Sequence, residues 1–129
     1  MAFTVSGLSH AAIRVTDLQR SRRFYVEILG FEPILEEDDV VVFKIGAALL
    51  GVRGGAPETP ADDRFDPFRV GLDHLAFAVD SEEQLHELQR ALDAADVRNE
   101  GVKDDIFDAK ALVFYDPDGI ALELYALPG

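Results

Sequence analysis

Apolar and polar residues alternate in two short stretches, His10-Ala11-Ala12-Ile13-Arg14-Val15 and His74-Leu75-Ala76-Phe77-Ala78-Val79. A period of two belongs to a strand with one packed face. Near-identical letters introduce the two stretches, GLSH at 7–10 and GLDH at 71–74. After each, the period lengthens to that of a helix. Leu18, Ser21, Tyr25, Ile28 and Leu29 mark one side of the first helix, with Thr16 or Asp17 to cap its start and Gly30 to stop it. Ser81 and Gln84 have capping-box spacing ahead of the second, whose apolar stripe is Leu85, Leu88, Leu92 and Ala95. Strand-like runs follow at Phe31–Leu35, Val40–Ile45 and Ala47–Val52, and again at Val97–Val102, Ala111–Tyr115 and Ile120–Ala126. The last two runs are joined by Asp116-Pro117-Asp118-Gly119, with Pro and Gly where a type I turn favours them.

Each half therefore reads βαβββ. The boundaries fall at about 5–53 for the first module, 54–70 for a linker rich in Gly, Pro and acids, and 71–127 for the second. A sheet of three or four strands cannot bury both faces alone, so repeated units of this kind pair with each other. The fold class predicted is α+β, with two paired βαβββ modules forming a curved mixed sheet, a half-barrel around a central cavity, as one domain over 1–129. Within the linker region, Phe65 and Phe68 are suited to pinning the segment to the core, to closing over a pocket or to meeting a partner chain.

The faces carry the functional reading. His10, Ala12 and Arg14 share one face of the first strand, and His74, Ala76 and Ala78 share one face of its counterpart. Alanines beside histidines leave room, as the lining of a pocket does. If the modules pair by pseudo-symmetry, His10 and His74 face each other across one cavity. Aligning Gly46 with Gly119 sets Leu50 opposite Glu123, which projects between Leu122 and Leu124 to the face that bears Ala121 and Tyr125. A carboxylate there needs a partner, because an unpaired buried charge is costly. Two imidazoles and one carboxylate make a facial metal-binding set with open positions. His10, His74 and Glu123 are thus the expected metal ligands. Arg14 suits either an anionic substrate group or a rim carboxylate, Tyr125 suits substrate orientation, and Leu50 with Val52 would make one wall of the pocket apolar. His86 and the Arg20, Arg22, Arg23 cluster read as solvated helix faces.

Composition narrows the partners. A formal net charge of -13 disfavours nucleic acid and anionic membranes, leaving a small molecule as the expected ligand. There is no cysteine, so disulfides and thiolate ligands are excluded. The start, Met1-Ala2-Phe3-Thr4, carries no basic segment followed by an apolar run, and a cytoplasmic location is expected.

The segments HAAIRVTDLQRSRRFYVEILGF, DHLAFAVDS and FYDPDGIALELY, in this order, resemble the vicinal oxygen chelate superfamily, also described as the glyoxalase, bleomycin-resistance and extradiol-dioxygenase family. The resemblance spans essentially the whole chain. It implies paired βαβββ modules with metal ligands on the first and last strand of each, at His10, Leu50, His74 and Glu123, and it implies a homodimer. Leucine cannot ligate a metal, which departs from the four-ligand glyoxalase I and epimerase pattern. The extra histidine of extradiol dioxygenases is absent from Ile106-Phe107-Asp108-Ala109-Lys110. Fosfomycin-resistance thiol transferases share a His, His, Glu triad but place a threonine where Ala12 stands. The resemblance therefore implies an enzyme using one divalent metal ion (Fe, Mn, Zn, Ni or Co) to chelate a small oxygen-bearing substrate, with a lyase, isomerase, thiol-transferase or dioxygenase outcome. A thiol cofactor is compatible with it. The rival expectation is a protein that sequesters a drug or metabolite without turnover.

Overall fold

A computed structural model describes residues 2–128, which form two compact units divided between Ala61 and Asp62. Unit 1 contains β1 (His10–Arg14), α1 (Leu18–Arg23), β2 (Glu32–Glu37), β3 (Val40–Ile45) and β4 (Ala48–Arg53). Unit 2 contains β5 (Leu75–Ala78), α2 (Glu82–Ala94), β6 (Asn99–Asp104), β7 (Lys110–Tyr115) and β8 (Ala121–Ala126). Each unit is one four-stranded mixed sheet, ordered β1-β4-β3-β2 and β5-β8-β7-β6. In both, the first strand runs parallel to the last and the remaining pairs are antiparallel. The predicted repeat is thus a repeat of topology. Among the described residues no helix is long and apolar enough to cross a membrane.

In unit 1, Asp17 caps α1 by accepting from the Arg20 N–H at 3.1 Å. Beyond Arg23 the helix widens into a π turn over Phe24–Ile28, with the Leu29 N–H donating to the Phe24 carbonyl. The wider turn moves the buried stripe by one residue, so the consecutive Phe24 and Tyr25 are both buried. Tyr25 meets Phe24 edge-on, stacks on Phe31 and touches Phe43, and Gly30 ends the turn with φ +70°. Ile13, Val15, Val41, Leu50 and Val52 complete this core.

In unit 2, the Gln84 side chain accepts from the N–H groups of Asp80 and Ser81 at the start of α2. Leu85 and Leu92 are fully buried against the sheet. Ala95, predicted as part of the apolar stripe, stands at the C-terminal cap and is exposed, because the chain reverses at Asp96 with φ +55°. Phe77, Leu112, Phe114 and Leu122 form the rest of the core. Phe65 is half-buried and its N–H donates to the Asp118 carbonyl, whereas Phe68 is 94% exposed. Only the first of the two phenylalanines pins the connecting segment.

The aromatic cluster gives a stability test. Phe43→Ala removes a fully buried ring between Tyr25 and Phe31. We predict a loss of about 3–5 kcal/mol in unfolding free energy by urea titration.

Candidate functional site

In unit 2 the alternation along β8 separates two tasks. Leu122 points to the core, and Glu123 points to the other face, level with Ala76 of β5 and Val113 of β7. Tyr125 shares that face two residues further on, level with Ala78 and Ala111. His74 stands immediately before β5, and its Nε2 lies 3.9 Å from a Glu123 carboxylate oxygen. The site thus holds a carboxylate and an imidazole above a floor rich in alanine.

Glu123 is only 8% exposed. Burial raises its carboxyl pKa above the ordinary range; the charge of His74 acts against this and that of Asp105 adds to it. Burial, then Asp105 and Glu123, likewise raise the Tyr125 phenol. The Tyr125 hydroxyl donates to the Ile106 carbonyl at 3.2 Å, tying a short 3-10 turn (Ile106–Asp108) to this face.

Each histidine has a partner that sequence reasoning passed over. Asp73 Oδ1 lies 2.7 Å from His74 Nδ1, and Ser9 Oγ lies 2.9 Å from His10 Nδ1. An ionised carboxylate only accepts, so Nδ1 of His74 carries a proton, and whenever the ring is neutral its lone pair is on Nε2. That is the tautomer a metal ligand needs, with its outer nitrogen held by a second group. The signal was available in the third letters of GLSH and GLDH, where both residues accept hydrogen bonds. A cation bound at about 2.1 Å to each donor would set nitrogen and oxygen roughly 3.0–3.4 Å apart. The observed 3.9 Å lies within a small side-chain rotation of that span, so the donor pair fits a divalent ion.

The remaining predicted residues fall as follows. His10 begins β1 in unit 1, exposed and level with Leu49 of β4. Among the described residues, no three His, Cys, Asp or Glu side chains form a group able to hold a metal ion. His74 and Glu123 are brought together, while His10 belongs to the other unit. Arg14 Nη1 donates to the Gly54 carbonyl at 2.8 Å, so it anchors the chain leaving β4. Leu50 corrects the sequence reading. It is 2% exposed, level with Ala11 and Phe43 on the core face, and its side chain lines no pocket on the His10 face; fully buried Val52 shares the core face. By register the counterpart of Glu123 is Gly51, level with Ala12 as Glu123 is with Ala76. The glycine alignment slipped by one because Leu50, level with Ala11, stands four residues after Gly46, whereas Leu122, level with Leu75, stands three after Gly119. His86 is a helix-surface residue, as expected, with Nε2 3.1 Å from Glu82.

A sequence profile of the Glyoxalase/Bleomycin resistance protein/Dioxygenase superfamily matches residues 7–124. The chain belongs to this superfamily. It is 31% identical over 127 residues to the uncharacterized protein YwkD of Bacillus subtilis, covering 94% of this chain and 97% of that one. It is 28% identical over 122 residues to the metallothiol transferase FosB of Staphylococcus saprophyticus, covering 94% and 77%. The glyoxylase/bleomycin resistance protein/dioxygenase domain from Frankia sp. EAN1pec shares the fold with a TM-score of 0.84 and 32% identity, covering 97% of this chain and all of that one. Membership in the superfamily agrees with the two mixed-sheet units and with the fold class expected from the sequence.

The raised carboxyl makes a pH prediction. The folded state holds the Glu123 proton more tightly than the unfolded chain does. Stability of the metal-free protein therefore falls as pH rises from the ordinary carboxylate range through the raised value, and stays lower above it. Glu123→Gln removes the share of this fall that Glu123 contributes and raises the melting temperature at pH 7. Thermal scans of metal-free wild type and variant between pH 4 and pH 8 (about the span in which carboxylates titrate) check this.

Proposed function

We propose that this chain is a metal-dependent enzyme acting on a small oxygen-bearing substrate that is chelated by a divalent cation. The observation that carries this reading is the His74–Glu123 pair, with Nε2 facing the carboxylate and Nδ1 held by Asp73. The sequence repeat that equates His10 with His74 supports His10 as a further metal ligand. Ser9 Oγ lies 2.9 Å from its Nδ1 and holds the ring in place, as donor or acceptor. A divalent ion bound here supplies Lewis acidity toward substrate oxygens. The protein's own part is to fix the imidazole tautomer through Asp73, to present Glu123 from a dry strand face, and to leave room above Ala76 and Ala78 for the substrate.

The metallothiol transferase among the relatives supports a metal and leaves a thiol co-substrate compatible with the site. Lyase, isomerase and dioxygenase outcomes rest on the same chelation. A homodimer is supported by large apolar side chains left in solvent, including Phe3, Val5 and Leu8 ahead of β1 and Phe68 and Val70 ahead of β5.

Elemental analysis of the tag-free protein tests the reading. About one equivalent of Fe, Mn, Zn, Ni or Co per chain is expected, with loss in His10→Ala, His74→Ala and Glu123→Ala. Asp73→Ala should weaken metal affinity by about 10–100-fold while leaving the fold intact, measured by competition with a chelating dye. A folded wild type that takes up no supplied metal would overturn the enzyme reading in favour of a sequestering pocket.

A further inference from the structure

The outer face of β1 and β4 brings two arginines side by side. Ile13, Val15 and Val52 are buried, so alternation turns Arg14 and Arg53 to the opposite side, where both are exposed. The two are level in the parallel pair, on strands about 4.8 Å apart. Like charges at opposed positions repel unless a counter-charge joins them. With 25 Asp and Glu for 12 Lys and Arg, the chain could readily supply one. It does so elsewhere: Arg22 has Glu36, and Arg90 has Glu83. Among the described residues neither Arg14 nor Arg53 pairs with a carboxylate. The acid of the same row, Glu37, is level with Val40 and stands two strands from Arg53, and Asp38 and Asp39 occupy the adjoining turn. None of the three forms an ion pair with either arginine.

Arg14 is also held in place. Its Nη1 donates to the Gly54 carbonyl at 2.8 Å, which leaves the Nε–Nη2 edge without a protein acceptor. That edge is a fork of parallel N–H groups matched to two oxygens of one oxyanion. Arg53 adds a second guanidinium from the next strand. Toward His10 the same face turns small and apolar, with Ala12 level with Gly51 and the row continued by Val42 and Leu35. His10 and Leu49 lead the row beyond, which ends in Lys44 level with Glu32. His10 thus stands roughly 13 Å along β1 from Arg14.

We propose that Arg14 and Arg53 clamp the oxyanion of a small organic molecule, a carboxylate or phosphate group, whose apolar body lies over Ala12, Gly51 and Val42. The bound anion is the counter-charge that the fold itself does not provide. The clamp stands on the arginine pair alone. Identifying the bound molecule as the substrate rests on the proposed function, since His10 shares the face, and gives that substrate an anionic end.

Titration of the metal-free full chain with inorganic phosphate, at ionic strength held constant with sodium chloride, tests the clamp. In proton–nitrogen NMR spectra the arginine Nε–H signals report each guanidinium separately. Those of Arg14 and Arg53 should shift together and saturate, while those of Arg22 and Arg90, each held by a glutamate, should not. Arg53→Gln should weaken phosphate at least about tenfold, the size of one hydrogen bond to a charged group. Arg53→Lys keeps the charge without the fork and should recover only part of that affinity. Arg22→Gln should bind as wild type does. Phenyl phosphate should bind several-fold more tightly than inorganic phosphate, through its ring on the apolar rows.

Absence of a saturable shift at Arg14 and Arg53, equal shifts at every arginine, or phosphate affinity that survives Arg53→Gln would overturn the proposal. Equal affinity for the two phosphates would mark a site for a free ion and overturn the organic ligand. A carboxylate of a second copy seated in the clamp would appear as a sedimentation coefficient that falls in Arg53→Gln, with no phosphate response in wild type. That result would overturn the proposal as well. Mn(II) stoichiometry measured on the same samples reads the chelating pair separately, so failure of metal binding and failure of the clamp are distinct results.

Discussion

One strand has to satisfy two incompatible environments. Along β8, Leu122 is fully buried beneath α2 while the next residue, Glu123, faces away from that core. The strand period of two makes this possible, and pairing on both sides makes it obligatory, since β8 lies between β5 and β7. A slip of one residue would drive a carboxylate into the apolar layer and expose leucines. Packing of Leu112, Phe114 and Leu122 thus fixes where the carboxylate stands, and the core sets the geometry of the chemistry.

The same strand order places His74 at the entrance of the strand beside β8, so that the imidazole and the carboxylate meet across a parallel pair. Asp73 then settles which ring nitrogen carries the proton. Neither contact contributes much to folding. Glu123 is destabilising as a buried anion, and the left-handed Phe107 adds strain at the margin of the same face. Costs of this kind collect where a protein holds groups ready for a ligand. Unit 1 repeats the topology with Gly51 at the position of the carboxylate, so the two halves have the same frame but do not carry the same donors.

Much of this is legible in the order of the amino acids. Two alternating stretches behind GLSH and GLDH announce a repeat, the helix and strand periods locate its elements, and the face shared by Glu123 and Tyr125 follows from alternation. Periodicity misleads where local geometry departs from ideal values. The π turn over Phe24–Ile28, where Phe24 and Tyr25 are both buried, departs from the 3.6-residue period assumed for the whole helix. The register of the parallel pairs, one residue different relative to the turn glycines, moves the counterpart of Glu123 from Leu50 to Gly51.

The sequence by itself determined the topology of each unit, because periodicity, caps and turn residues act over neighbouring positions and need no distant partner. It also determined the kinds of donor on offer, two histidines at strand entrances and one carboxylate between leucines. Tertiary structure decided which donors meet and which histidine nitrogen faces which partner. The His74–Glu123 approach, the hold of Asp73 on Nδ1, the capture of Arg14 by the Gly54 carbonyl and the fastening of the Ile106 turn by Tyr125 depend on distances set by packing and register. No local pattern encodes such distances, because they arise only when strands far apart in the chain pair.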